Sequence, residues 1–564
     1  MSKMGKNQGY QALEEGQNSD TGRETTDDGV KVNSQSKGKG YAVYLFAGLL
    51  ILFLAGRLLA FPRPLVGSMD VVGVVPMEGQ GWPRSDRPIP VQDVSGTDKV
   101  MHISDTHVDF FFDPTMSLAT GVCHSCQLSS KYGNKTVCPK VEIVSQNAAV
   151  NAYQQDLVEK GYSFGRYACN PPKQLWKSLH QQMRLIDPSP KVVVFTGDVS
   201  PHGYPDDNYA PKTNSADELH TLCDAKFTVT TKMIQSLTAN FPTTLFAFTL
   251  GNNDHFPKDK FWAPYIQKLG DMFLTTGFMT PDQHSTFVKF GSSKLDVSGV
   301  RYLCIDFTLF VQKESIVSFD GKNGTNLMDD LMVWIEGSLS DAHVTGLKVY
   351  IVGHQPMTTN KGKDEMDVNG VYFNALKDVL EKYQDIIIVG LFGHRNLAGL
   401  SDVLSSTYMP LFPAITAPGV SPRGRNQPSF NVFYQDQESK RVVDFEQWKF
   451  DLMRENRKAA ELGGGGGGVE YLGSWSKHEG EMASWQTLSG QMEYTIETLR
   501  AFLQQVVLQQ DLFFAVERWE RGGYVGEETP ESYECKSLYD RNDQLMTCLF
   551  PNQDVLCWDA KWIT

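Results

Sequence analysis

With 564 residues the chain is too long for one small domain and long enough to bury a large core. Its formal net charge of −14 speaks against a broad nucleic-acid surface, which would be basic. That charge leaves anionic substrates open, because a bound cation supplies positive charge locally.

Residues 1–40 are rich in Ser, Gly, Asn, Gln and charge with few large apolar groups, the composition of a disordered tail. Tyr41 to Phe61 is almost wholly apolar, broken only by Arg57, and matches the roughly 20 residues needed to span a bilayer. It reads as a single transmembrane signal anchor, because the polar stretch ahead of it is longer than a cleaved leader allows. Lys31, Lys37 and Lys39 favour a cytosolic N-terminus. Residues 62–96 carry repeated prolines and read as an extended stalk.

Within 97–451, five short apolar runs each end in groups that ligate divalent metals. Lys99–Ile103 leads into Asp105 and His107, a spacing that turns both to one side of an extended segment. Lys191–Phe195 leads through Gly197 to Asp198, a natural bridging carboxylate. Thr244–Leu250 runs into Gly251, Asn252, Asn253, Asp254 and His255, a cluster that an ordinary turn also supplies. Leu347–Val352 leads to Gly353 and His354, and Ile386–Phe392 repeats the pattern with Gly393 and His394. Runs so rich in Val, Ile, Leu and Phe are strands buried on both faces, and residues after such strands gather at one edge of an open α/β sheet. A single strand–Gly–His is ordinarily a loop histidine; the joint pattern points to a metal centre. Carboxylate, imidazole and amide oxygen together suit zinc, manganese or iron better than calcium.

Residues 452–468 form a linker with six consecutive glycines, Gly463–Gly468, and residues 469–564 a helical C-terminal region. Met492, Ile496, Leu499, Leu503, Val506 and Phe513 fall at helical spacing on one apolar face. That face either packs on the preceding domain or, with Phe513, Phe514 and Trp519 at its end, serves as a lid or membrane surface.

Nine cysteines occur, with Cys123, Cys126, Cys138 and Cys169 in one cluster and Cys535, Cys548 and Cys557 in another. Clusters of this kind suit disulfides in an oxidising lumen. Cys304, in the strand-like Val300–Phe307, reads as a buried thiol, and setting it aside leaves an even number. Asn134 and Asn323 head glycosylation sequons, which carry meaning only if this part enters the secretory pathway.

The ordered motifs, D-x-H at Asp105, G-D at Asp198, G-N-N-D at Asn252, G-H at His354 and G-H-x-N at His394, resemble those of the calcineurin-like metallophosphoesterases. That resemblance implies an α/β two-sheet αββα sandwich and two divalent metal ions, with zinc first and manganese or cobalt as alternatives. It implies that Asp105, His107 and the shared Asp198 hold one ion, and that Asp198, Asn252, His354 and His394 hold the other. Asn253 stands where the family has a catalytic histidine, and Asn396 where it has a further ligand of the first ion. Asn cannot donate a proton near neutral pH, and its oxygen is a weaker ligand than imidazole.

Residues Val100 to Phe433 further resemble the acid sphingomyelinase-like branch, through FGRYACNPP at 164–172, TAPGVSPRGRNQPSF at 416–430 and a histidine four residues after the G-D aspartate, here His202. Yeast-type endopolyphosphatases are similar in their own G-N-N-D and terminal Asn. The resemblance implies hydrolysis of a phosphodiester, in a lipid headgroup or nucleotide, by metal-activated hydroxide, with His202 as proton donor to the leaving group and His255 in reserve. Cleavage of phosphoanhydrides in polyphosphate is one alternative, and a non-catalytic metal-binding receptor domain is another. Lys258, Lys260, Lys361, Lys363, Arg395, Arg423 and Arg425 follow the strand ends, as solvated loop charges or as the lining of a phosphate-rich channel. Partners are an anionic phosphate substrate and the membrane, without nucleic acid. The expected topology is single-pass type II, facing a vacuole- or lysosome-like lumen or the exterior.

Overall fold

The computed structural model describes residues 96–110, 112, 162–167, 169–202, 216–311, 325–357, 370–407, 409–424, 426–462, 471–478, 483–491 and 493–508, with 516, 519 and 520. The tail, the apolar stretch 41–61, the stalk except Gly96, the asparagines of both sequons, the polyglycine run, Phe513 and Phe514 lie outside these residues. Among the described residues no helix is long and apolar enough to cross a membrane.

Two six-stranded sheets form an α/β sandwich. The first is ordered β12-β11-β10-β1-β2-β3, with β1 Thr97–Ile103, β2 Val192–Phe195, β3 Leu245–Phe248, β10 Ser429–Asp436, β11 Val442–Phe450 and β12 Trp475–Lys477. The second is ordered β4-β5-β6-β7-β9-β8, with β4 Ser293–Val297, β5 Val300–Cys304, β6 Lys348–Val352, β7 Ile387–Phe392, β8 Gly399–Leu404 and β9 Pro410–Thr416. All five apolar runs form strands, and most of their residues are buried, with Leu245 and Ile388 partly so, as unbroken Val/Ile/Leu/Phe segments require when both faces are covered.

Register places the ends together. β1, β2 and β3 run parallel, with Ile103 opposite Phe195 and Phe195 opposite Phe248, so Asp105, Asp198 and Asn252 leave the sheet side by side. β6 and β7 are parallel in the other sheet, with Val352 opposite Leu391. The sheets are tied at this edge by Thr249 Oγ1 donating to the Ile305 carbonyl at 2.8 Å and His354 Nδ1 to that of Thr196 at 2.6 Å.

Helices cover the sheets. Lys173–Ile186 buries Leu175, Trp176, Leu179 and Met183, a stripe at helical spacing, and packs on Ala216–Asn240. Thr325–Thr345 lies on β6 and against Gly370–Lys382. Pro281–Phe290 starts with a capping box between Thr280 and Gln283, which satisfies two otherwise unpaired N–H groups.

The described residues beyond the polyglycine run pack on the sheets. β12 pairs with β11, and Trp475 Nε1 donates to Ser178 Oγ at 2.8 Å. The expected C-terminal helix is described over Ile496–Leu508, and its buried Leu499, Leu503 and Val506 face β8 and β9. Arg500 pairs with buried Asp402 at 3.0 Å, and Trp485, Tyr494 and Trp519 gather around Phe445. The apolar face is thus used in packing. Cys304 is a buried thiol as read from its strand, but Cys223 is a second one, so the remaining count is odd. Cys169 is disulfide-bonded, to a partner outside the described residues.

Candidate metal centre

The metal-ligating side chains meet at the common edge of the two sheets. Asp198 stands between two imidazoles, with its Oδ2 3.4 Å from His107 Nε2 and 3.2 Å from His354 Nε2. Asp105 Oδ1 lies 3.7 Å from His107 Nε2. On the other side, Asn252 Oδ1 and His394 Nδ1 lie 3.3 and 3.2 Å from His354 Nε2. Asn396 donates from Nδ2 to Asp105 Oδ1 at 3.3 Å. All seven expected ligands therefore belong to one cluster.

The backbone that delivers them is unusual. Asp105, His107, Asp198, His394 and Asn396 all have positive φ, between 43° and 75°, a region uncommon for side-chain-bearing residues but tolerated best by Asn, Asp and His. Asp105 and His107 are therefore not on an extended segment as their spacing suggests. They sit in a left-handed turn just past β1, whose N–H groups donate to the carbonyls of Gly197 and Asp198 at 3.0 Å each. The glycines are there for room: a Cβ on Gly251 would strike Asp198 Oδ1, and one on Gly393 would strike Ser104 Oγ.

Hydrogen bonds orient each ligand atom. His107 Nδ1–H donates to the Ser200 carbonyl at 2.8 Å and His354 Nδ1–H to that of Thr196, so both rings turn Nε2 inward. Asn252 Nδ2 donates to Asp259 at 2.9 Å, which turns its oxygen towards His354. Asp105 Oδ2 accepts Ser104 Oγ–H at 2.5 Å and the His394 N–H at 2.9 Å, leaving Oδ1 towards His107.

Electrostatics reflect this geometry. Burial works against the charge on Asp198, but His354 and His107 outweigh it and hold the carboxyl well below the usual range. Burial likewise opposes the protonated form of His354, yet Asp198 pushes its pKa up to about 9.

The donor set fits divalent ions. Donor atoms around a tetrahedral ion at ~2.1 Å stand about 3.4 Å apart, and the Asp198–His107, Asp198–His354, Asn252–His354 and His394–His354 separations span 3.2–3.4 Å. Buried His107 Nε2 and Asn396 Oδ1 have no hydrogen-bond partner, a costly arrangement that a cation relieves. Two groups of three donors, His107–Asp198–His202 and Asp198–His354–His394, each lie within 4.8 Å of one another and share Asp198. Asp105, His107, Asp198 and Asn396 would hold one ion, and Asp198, Asn252, His354 and His394 the other.

The residues expected to move protons are placed differently. Asn253 clamps the shared carboxylate, its N–H and Nδ2 donating to Asp198 at 2.9 and 2.8 Å. His255, the reserve donor, is fully buried with Nε2 on Asp306 at 3.1 Å, so an internal ion pair engages it and it has no surface from which to meet a substrate. His202 borders the cluster, half-buried, its ring 4.1 Å from that of His107. Burial, the His107 ring and the Arg423 charge all disfavour its protonated form and hold it well below the ordinary imidazole range, which works against a role as acid.

Two positioning groups escaped sequence reasoning. Asp254 accepts the N–H groups of Asp198, Gly251 and Ser200 at 2.7, 2.9 and 2.9 Å, stapling two motif loops. Its place in G-N-N-D was a usable signal. Asn170 brackets His202 through the backbone, donating to its carbonyl at 2.8 Å and accepting its N–H at 3.3 Å. Only the FGRYACNPP segment hinted at it.

A profile described as calcineurin-like phosphoesterase matches residues 98–395. The chain is 22% identical to sphingomyelinase phosphodiesterase D of Dictyostelium discoideum, over 80% of this chain and 94% of that protein. It is 27% identical to human acid sphingomyelinase-like phosphodiesterase 3b, over 52% of this chain and 64% of that one. To the endopolyphosphatase of Schizosaccharomyces pombe it is 24% identical, over 53% and 47%. The chain spans less than two thirds of the latter two.

Proposed function

The chain belongs to the calcineurin-like phosphoesterases and is a metal-dependent phosphoesterase of the acid sphingomyelinase-like branch, and from that premise we propose that it hydrolyses a phosphodiester in a lipid headgroup or nucleotide. The observation that carries this reading is the single carboxylate of Asp198 facing His107 at 3.4 Å and His354 at 3.2 Å. Two divalent ions, zinc first among them, supply Lewis acidity towards the phosphoryl oxygens and acidify water at the site when bound. The chain's own residues do the positioning. Asn253 and the Asp254 staple hold Asp198, and the carbonyls of Ser200 and Thr196 fix the two imidazoles. Arg423 and Lys258, near enough to His202 for their charges to act on it, attract the anionic substrate on the half-buried side. In the hydrolysis water oxygen bonds to phosphorus, the bond to the leaving oxygen breaks, and that oxygen takes up a proton.

A second reading, cleavage within polyphosphate, is favoured by Asn253 and Asn396, which the sequence shares with the endopolyphosphatase pattern. Purified full-length chain, supplied with zinc, manganese or cobalt, would be offered bis-nitrophenyl phosphate, sphingomyelin, a dinucleotide and long-chain polyphosphate. Diester turnover that disappears together with bound metal in Asp198→Ala is the expected result. Turnover of polyphosphate alone would replace the first reading by the second, and turnover of nothing despite bound metal would leave a receptor domain. We further place this domain in an oxidising lumen behind an anchor at 41–61, a topology supported by the apolar stretch and by the disulfide at Cys169. Protease protection of the domain in sealed membrane vesicles tests it; digestion without detergent would refute it.

A further inference from the structure

In the dinuclear centre proposed for this chain, and on the strength of that reading, the first ion site is short of one strong donor. Asp105, His107 and Asp198 offer it two carboxylates and one imidazole. The remaining position is Asn396, whose Nδ2 is engaged with Asp105 at 3.3 Å, so only its amide oxygen is left, a weaker donor than imidazole for zinc-like ions.

A second imidazole already borders that site. The His202 ring centroid lies 4.1 Å from that of His107, with 38° between planes. One donor atom each from His107, Asp198 and His202 lie within 4.8 Å of one another. The His107–Asp198 leg is 3.4 Å, the spacing a tetrahedral ion needs, so an adjustment of the half-buried His202 side chain on the order of 1 Å closes the set. The position of His202 is also built: Asn170, 3% exposed, makes hydrogen bonds to both its backbone N–H and carbonyl.

We propose that His202 is a direct ligand of the first ion, in place of the imidazole that Asn396 lacks, and does not donate the proton to the leaving group. The two roles exclude each other. A ligand presents a lone pair on the nitrogen facing the site, whereas a proton donor presents N–H there.

Cobalt substitution of the full-length chain separates them without recourse to turnover. In His202→Ala, with wild-type circular dichroism, one of two cobalt ions should be lost or bound at least about tenfold more weakly. In His202→Cys, the thiolate should touch the ion and add an ultraviolet sulfur-to-cobalt charge-transfer band absent from wild type. Two ions held at wild-type affinity by His202→Ala, with no new band in His202→Cys, would overturn the proposal and return His202 to the role of acid. Wild-type chain that takes up no cobalt would instead bring down the dinuclear reading itself.

Discussion

Gly393→Ala is the sharpest test of how the centre is assembled, because it adds one methyl group and alters no ligand. Gly393 does not have a left-handed φ, so the substitution carries no backbone penalty and its effect is one of space alone. The new Cβ would fall within the radius of Ser104 Oγ, 2.9 Å from Asp105 Oδ2 and 3.0 Å from Thr196 Oγ1. Overpacking of this kind costs about 1–3 kcal/mol. Moving Ser104 and Asp105 aside also weakens the two hydrogen bonds that hold Asp105 Oδ2, from Ser104 and from the His394 N–H. Displacing a reacting geometry by about 1 Å costs on the order of 100-fold in rate. The expected outcome is a folded protein with kcat/KM down by about two orders of magnitude and metal at the Asp105 site depleted, read by metal analysis and a chromogenic diester. Gly337→Ala is the control: its Cβ meets nothing within 4 Å, it lies in the helix Thr325–Thr345, and it should stabilise by up to about 1 kcal/mol. Gly393→Ala with wild-type metal content and turnover would refute the close-approach argument.

Three further outcomes are expected. His354, at about 9 in the ion-free chain, must lose its proton to ligate, so ion uptake at neutral pH should release close to one proton and apparent affinity should rise with pH up to about 9; titration calorimetry insensitive to the buffer's ionisation enthalpy would contradict this. Asp254→Asn exchanges an oxygen that accepts backbone N–H groups for an amide that cannot, costing about 1–3 kcal/mol and weakening metal binding together, as thermal unfolding with and without chelator would register. His180, buried against Trp176, has its pKa lowered to about 3 by burial, below the unfolded value near 6.5. The unfolded chain then binds the extra proton, so the contribution of His180 is whole above about pH 6.5 and falls as pH drops towards 3. Between pH 7 and 5, wild type should lose about 2 kcal/mol more stability than His180→Gln; parallel denaturation curves for the two would exclude it.

Much of the centre was legible in the sequence because its parts are local. A run such as Lys191–Phe195 reads as a doubly buried strand, and a glycine followed by a metal-ligating residue after several such strands repeats a pattern that chance does not supply. The five strands and the expected ligands Asp198, Asn252, His354 and His394 come from this pattern, Asp105 and His107 from the spacing after the first strand, and Asn396 from the family resemblance alone. Proton chemistry was not legible in the same way. His255 and His202 are equally polar in sequence, but only three-dimensional packing commits the first to Asp306 and brings the second beside His107. The same holds for the C-terminal helix, whose apolar face was ambiguous until β8 and β9 were seen to cover it.

The sequence by itself determined which residue types stand at the ends of which strands, and hence the fold class and the kind of chemistry, because side-chain periodicity and strand burial are properties of a few neighbouring residues. Only the tertiary structure decided which donor atoms converge, since Asp105, Asp198 and His354 are separated by long stretches of chain, and their meeting depends on register, on left-handed turns and on hydrogen bonds between two sheets.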